Sequence, residues 1–198
     1  MNSTYHHKFA IMAISFLLVV LNACKKDNSF NYDFNNVNDR VWVGPDFWAV
    51  PLEDWKVESG RLHCVGNRPD MRLNILTHTL NGIGEIKFSL SMGLLEEKEK
   101  VGTAGICLGL QDQTDNDVRS LCYFGSGLEL GVSTDGFVFI GQQIKKLPDG
   151  FTFQEIEMAV RVEKKGETSH LEVSVKDING IEVEGILGQG YDLIKDFV

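Results

Sequence analysis

Four groups of residues carry side chains with reactive or binding chemistry. Glu155 and Glu157 flank Ile156 and stand beside Met158. Two carboxylates a few ångströms apart can hydrolyse a glycoside, one as acid and one as nucleophile. Here the alternation puts both acids on the face opposite Ile156 and Met158, where a solvated strand face is the simpler expectation. Asp112-Gln113-Thr114-Asp115-Asn116-Asp117 is rich in oxygen ligands, and Ca²⁺ takes six to eight of them. Asp112, Asp115 and Asp117 are its candidate ligands. The string has no central glycine, and its twelfth position is Tyr123, so it is no EF-hand and an ordinary polar turn competes with a calcium site. The segment Trp42–Trp55 holds the chain's three tryptophans and Phe47, interrupted by Pro45 and Pro51. Rings held on a rigid loop can stack on sugar faces. Trp48, which follows Gly44-Pro45-Asp46, leads that reading, with Trp42 and Phe47 beside it. Core or strap residues are the competing role for Trp42 and Trp55. The fourth group is Cys24, a thiol at the end of an apolar run.

Other chemistries lack their residues. Beyond residue 23 the histidines are His63, His78 and His170, with no HExxH or HxH spacing, and no CxxC occurs. No resident cofactor is expected. The net charge of −9 counts against nucleic-acid binding, which wants a basic patch. Cys64, Cys107 and Cys122 are odd in number, so at least one stays a thiol in a monomer. One disulfide fits an oxidising compartment, but spacing does not choose the pair. Cys64 and Cys107 lie among apolar residues and read as small buried hydrophobes.

The run Phe9–Leu21 spans thirteen residues. That suits a signal h-region and falls short of the ~20 residues of a membrane-spanning helix. Leu21-Asn22-Ala23-Cys24 resembles the lipoprotein box, although Asn22 replaces the small residue common there. The resemblance implies cleavage before Cys24, acylation of its thiol, and a membrane anchor of two or three chains, which holds stably. Cys24-Lys25-Lys26-Asp27 resembles the surface-export signal of Bacteroidetes lipoproteins, implying the outer membrane and its outer face. Residues 1–23 are then a signal peptide, 24–29 a lipidated tether, and 30–198 the folded domain.

No stretch of that domain keeps a 3.6-residue period. Period-two alternation recurs between Gly, Asn and Asp turns. Trp55–Glu58 and Arg61–Cys64 read as a hairpin across Ser59-Gly60. Met71, Leu73 and Ile75 alternate, as do Ile86, Phe88, Leu90 and Met92. Val101–Leu110 is nearly continuous apolar sequence with three glycines. It suits a strand buried on both faces or one passed closely by another backbone. Leu128–Ser133 and Phe137–Ile140 flank a Thr134-Asp135-Gly136 turn. Ile156, Met158, Val160 and Val162 alternate with Glu157, Arg161 and Glu163. Leu171, Val173 and Val175 return, and Asn179-Gly180 turns into Ile181–Glu184. Leu94–Lys100 reads as a polar loop or single turn. Many short strands and no internal repeat predict an all-β fold, a two-sheet antiparallel β-sandwich.

Trp55-x-Val57-x-x-Gly60-x-Leu62, Gly84–Leu90, Ala104–Leu110 and Thr134–Gly141 together resemble the concanavalin A-like (laminin-G-like) jelly-roll domains. Residues 42–49, 51–55 and 60–64 are similar to the amino-terminal domain of bacterial alkaline phosphatase D-like lipoproteins. The resemblance implies a jelly roll; Tyr191–Val198 ends without a tail or closing turn, so a jelly roll lacking its last strand, or a fragment of a longer product, is expected. The resemblance also implies an accessory domain beside a phosphatase module. Gly66-Asn67-Arg68 lacks the histidine of that family's metal site, so no phosphatase residue carries over. The expected function is a non-catalytic cell-envelope domain that binds carbohydrate or assists an adjoining enzyme. The alternatives are a divergent glycoside hydrolase or the leading part of a metallophosphoesterase.

Overall fold

The computed structural model describes residues 29–78, 85–96, 101–111, 117–165 and 168–191. Cys24 lies outside them, as do Asp112 and Asp115. The chain divides into Met1–Asp33 and Phe34–Val198. In the first part the rings of Phe30 and Tyr32 stack 6.3 Å apart.

The second part is built from antiparallel strands. In chain order they are β1 (Phe47–Val50), β2 (Trp55–Glu58), β3 (Arg61–Cys64), β4 (Arg72–Ile75), β5 (Glu85–Met92) and β6 (Thr103–Gln111). A helix, α1 (Val118–Phe124), precedes β7 (Ser126–Ser133), β8 (Phe137–Ile140), β9 (Gln143–Lys146), β10 (Ile156–Lys165), β11 (Thr168–Asp177) and β12 (Glu182–Tyr191). Two four-stranded sheets run β12-β11-β10-β5 and β6-β7-β8-β9. Two-stranded pairs β1-β4 and β2-β3 complete the set.

Alternation in the sequence becomes burial in the sandwich. Ile156, Met158, Val160 and Val162 of β10 and Leu171, Val173 and Val175 of β11 are buried. They share one core with Leu128, Leu130 and Val132 of β7 and Val138 and Ile140 of β8. Successive strand side chains point to opposite faces, so Glu157, Arg161, Glu172 and Lys176 face outward and are exposed. The branched and aromatic residues fit the pleated, half-buried surface that each sheet presents. The hairpin β2–β3 pairs Trp55 with Cys64 and Val57 with Leu62. Its turn needs two left-handed residues, which Ser59 (φ 52) and Gly60 (φ 73) supply.

Several expectations need correction. Strand β6 is not buried on both faces: it runs from exposed to half-buried, because it is the outer strand of its sheet. Its glycines match the other expectation for this run, close approach by a neighbouring backbone. Gly105 stands opposite Gly131 of β7, and a Cβ on Gly105 would sit 2.0 Å from the Leu130 carbonyl oxygen. Cys64 is exposed and Cys107 half-buried, whereas Cys122 is buried. Each cysteine's strand or helix position, rather than its apolar neighbours, sets its exposure. Helix α1 was not anticipated, since seven residues are too few to display a helical period. Strand β9 is exposed throughout and therefore carries no alternation. It forms through its backbone ladder to β8, Phe137 facing Lys146 and Ile140 facing Gln143.

Candidate functional site

Part of the tryptophan segment, residues 41–46, is irregular chain ending in a turn, and strand β1 follows it. Gly44 has φ 119, and the Phe47 N–H donates to its carbonyl at 3.4 Å. From there the chain runs straight into β1. Phe47 and Ala49 point inward, and Phe47 is only 7% exposed. Its ring stacks on Phe34 with centroids 5.7 Å apart. That packing covers the ring and removes it as a sugar platform.

Trp48 points the other way. Strand β1 pairs with β4 so that Trp48 faces Asn74 and Val50 faces Arg72. Residues directly opposite in an antiparallel pair share a face, so Trp48, Val50, Arg72 and Asn74 form one half-buried surface. The Asn74 amide nitrogen donates to the Trp48 carbonyl at 3.3 Å. Arg72 Nη1 donates to the Gly125 carbonyl just past α1, and α1 lies against β1. The last two residues of α1, Tyr123 and Phe124, are 52% and 78% exposed. Their rings lie 6.2 Å apart, tilted by 42°. An indole, an amide and a guanidinium thus share one sheet face, with two exposed aromatics on the helix against it. The indole N–H of Trp48 is buried without a hydrogen-bond partner, which is uncommon for a buried donor.

Residue types of this kind bind polyhydroxylated ligands. Aromatic faces meet the apolar faces of a sugar ring, and amide and guanidinium groups meet its hydroxyls. Asn74, Arg72, Tyr123 and Phe124 were not singled out from sequence. Asn74 and Arg72 are far along the chain from Trp48 and belong beside it only through the β1–β4 register. Two adjacent aromatics after Arg119 were the one local signal for α1's contribution.

Trp42 has separate surroundings. It is 52% exposed, and the Arg40 guanidinium carbon lies 5.2 Å from its ring centroid. Trp55 sits half-buried in β2, and its indole N–H also lacks a partner.

The other candidate groups are dispersed. Glu155 pairs with Arg61 at 3.5 Å, and Glu157 stands exposed between Lys176 of β11 and Ser91 of β5. Of the acidic loop, only Asp117 is described. It is exposed at the start of α1 and meets Arg119 at 3.4 Å. Among the described residues no group of three His, Cys, Asp or Glu side chains converges as a metal site would. Arg68, in Gly66-Asn67-Arg68, is engaged by Asp54 and by Glu53 at 3.1 Å. A backbone hydrogen bond and this guanidinium hold the Glu53 carboxyl below its ordinary range. Burial pushes the thiols of Cys107 and Cys122 up, in Cys107 against the opposing charge of Arg72. Among the described residues no helix is long and apolar enough to cross a membrane.

No family model, no curated protein and no solved structure matches this chain.

Proposed function

We propose that this chain is a lipid-anchored, non-catalytic carbohydrate-binding domain of the bacterial outer membrane, and that its sugar site is the Trp48–Asn74–Arg72 face. The observation that carries the reading is the β1–β4 register, which brings an indole, an amide and a guanidinium onto one half-buried surface. Tyr123 and Phe124 offer further ring surface on the helix that lies against β1. The leader ending at Cys24 supports the envelope location, and the alternating strands support a sandwich of the concanavalin A-like, jelly-roll kind. An accessory role beside a phosphatase module fits the same domain, with the sugar site serving to hold the partner near its substrate.

A glycan array probed with the full acylated chain tests this. Binding to at least one glycan class is expected. Trp48→Phe and Asn74→Ala should each weaken it about tenfold or more, equivalent to about 1.4 kcal/mol. Tyr123→Ala, a surface change, gives a third readout that does not depend on the fold. A wild-type chain that retains no glycan, or three variants that bind as wild type does, would sink the proposal.

A further inference from the structure

The surface around Trp42 is held by other residues than the proposed sugar face and has its own construction. The backbone at Arg40 is fixed by two hydrogen bonds to Val57 of β2: the Arg40 N–H donates at 2.9 Å and its carbonyl accepts at 2.8 Å. Asp39 accepts from the Ser59 N–H at 2.8 Å, which ties the preceding residue to the β2–β3 turn. Arg40 Nη2 reaches the Val43 carbonyl at 3.3 Å, and Val43 itself is buried. From this fixed base Val41 projects at 84% exposure and Trp42 at 52%. The Arg40 guanidinium covers one face of the indole. An aliphatic side chain and an indole are therefore presented together on a rigid segment, with the cation of a half-buried Arg40 against the indole, its Nε buried without a hydrogen-bond partner.

We infer that Val41 and Trp42 enter the headgroup region of the bilayer that carries the lipid anchor, with Arg40 beside the lipid phosphates. The inference rests on acylation at Cys24, part of the function proposed above. Its second support is chain length. Phe34, where the second part of the chain begins, is ten residues from Cys24, a contour of at most about 35 Å. A domain on so short a leash must hold one of its surfaces close to the lipid. The third support is charge. The chain is acidic overall, and an anionic leaflet repels acidic surface while attracting Lys and Arg. Val41, Trp42 and Arg40 combine exposed apolar area with a cation, and amphipathic tryptophan favours this depth of the membrane. Acyl chains and a protein-borne contact together would set the orientation of the domain and leave the Trp48 face directed by the fold.

Quenching of tryptophan emission by brominated lipids tests the inference. The acylated full chain is reconstituted into vesicles of phosphatidylethanolamine and phosphatidylglycerol with dibrominated acyl chains. Trp42 is one of three tryptophans, so quenching should remove up to about a third of the emission. Trp42→Phe should abolish that loss, and Val41→Asp should reduce it without moving the melting temperature. Unquenched wild-type emission with Cys24 shown by mass spectrometry to be acylated would overturn this inference alone. An unacylated Cys24 would overturn both the inference and the envelope reading beneath it. Quenching that persists unchanged in Trp42→Phe would assign the contact to another tryptophan and reject Trp42.

Discussion

Trp48 and Asn74 stand directly opposite one another across the β1–β4 pair, and the Asn74 amide nitrogen donates to the Trp48 carbonyl at 3.3 Å. One side chain thus both pins the strand that carries the indole and flanks the indole's own face. Replacing Asn74 by Ala removes a single neutral hydrogen bond, so a stability loss of about 1 kcal/mol is expected. The loss of glycan affinity should exceed what that destabilisation explains, because the folded fraction at 25 °C barely changes. Urea melts and glycan titrations on the same sample separate the two effects.

Gly105 and Gly102 make a matched pair for stability. A Cβ on Gly105 would meet the Leu130 carbonyl oxygen and the Gly131 Cα, whereas one on Gly102 would meet nothing within 4 Å. Backbone cannot swing aside as a side chain can, so Gly105→Ala must part β6 from β7 at a cost of about 1–3 kcal/mol. Gly102→Ala should be neutral, or stabilising by about 0.5 kcal/mol through the unfolded chain. Equal urea midpoints for the two variants would contradict the close packing of β6 on β7.

Asp177 predicts acid sensitivity. It is buried at the β11–β12 turn and accepts from the Ile181 N–H at 2.8 Å, the Asn179 N–H at 3.0 Å, and the Thr152 N–H and hydroxyl at 3.1 Å each. Burial raises its pKa, but these hydrogen bonds to the ionised form together outweigh it and hold the carboxyl below its ordinary value. A depressed carboxylate stabilises the fold fully above the unfolded value of about 3.9, and that contribution disappears as pH falls through the lower folded value. The gap in urea midpoint between wild type and Asp177→Asn should therefore be constant from pH 7 to about pH 5 and narrow below about pH 4. A gap that stays unchanged down to pH 2 would refute the role assigned to the carboxylate.

The cysteines should separate by reactivity. Alkylation proceeds through the thiolate. Cys64 is exposed, while burial raises the thiol pKa of both Cys107 and Cys122. Under mild iodoacetamide at pH 8, peptide mapping should find Cys64 modified first. Cys107 and Cys122 should follow at least about tenfold more slowly and catch up in denaturant. Faster labelling of Cys122 than of Cys64 would mean that α1 does not bury it.

The all-β class was legible because strand periodicity is a local property. Ile156–Val162 against Leu171–Val175 announces two half-buried strands, and Ser59-Gly60 and Thr134-Asp135-Gly136 mark their own turns. For β6 the same kind of signal leaves burial on both faces and close backbone approach open, and the structure selects the second. A glycine-rich apolar run reads alike whether it lies at the centre of a sheet or passes close to a neighbour at its margin. Phe47 and Trp48 show the limit most plainly. Adjacent in the chain and both aromatic, they were read as one platform, yet the strand directs one ring into the interior and the other away from it.

Sequence alone therefore determined the class of fold and the positions of the main turns, since each depends on neighbours within a few residues. Tertiary structure decided which strands adjoin, which cysteine is exposed, and that Trp48 shares a face with Asn74 and Arg72 while Trp42 rests on Arg40. Those outcomes depend on pairing register between distant segments. A register shift of one residue would turn the same side chains to the opposite face, and nothing within either strand states which partner residue it will meet.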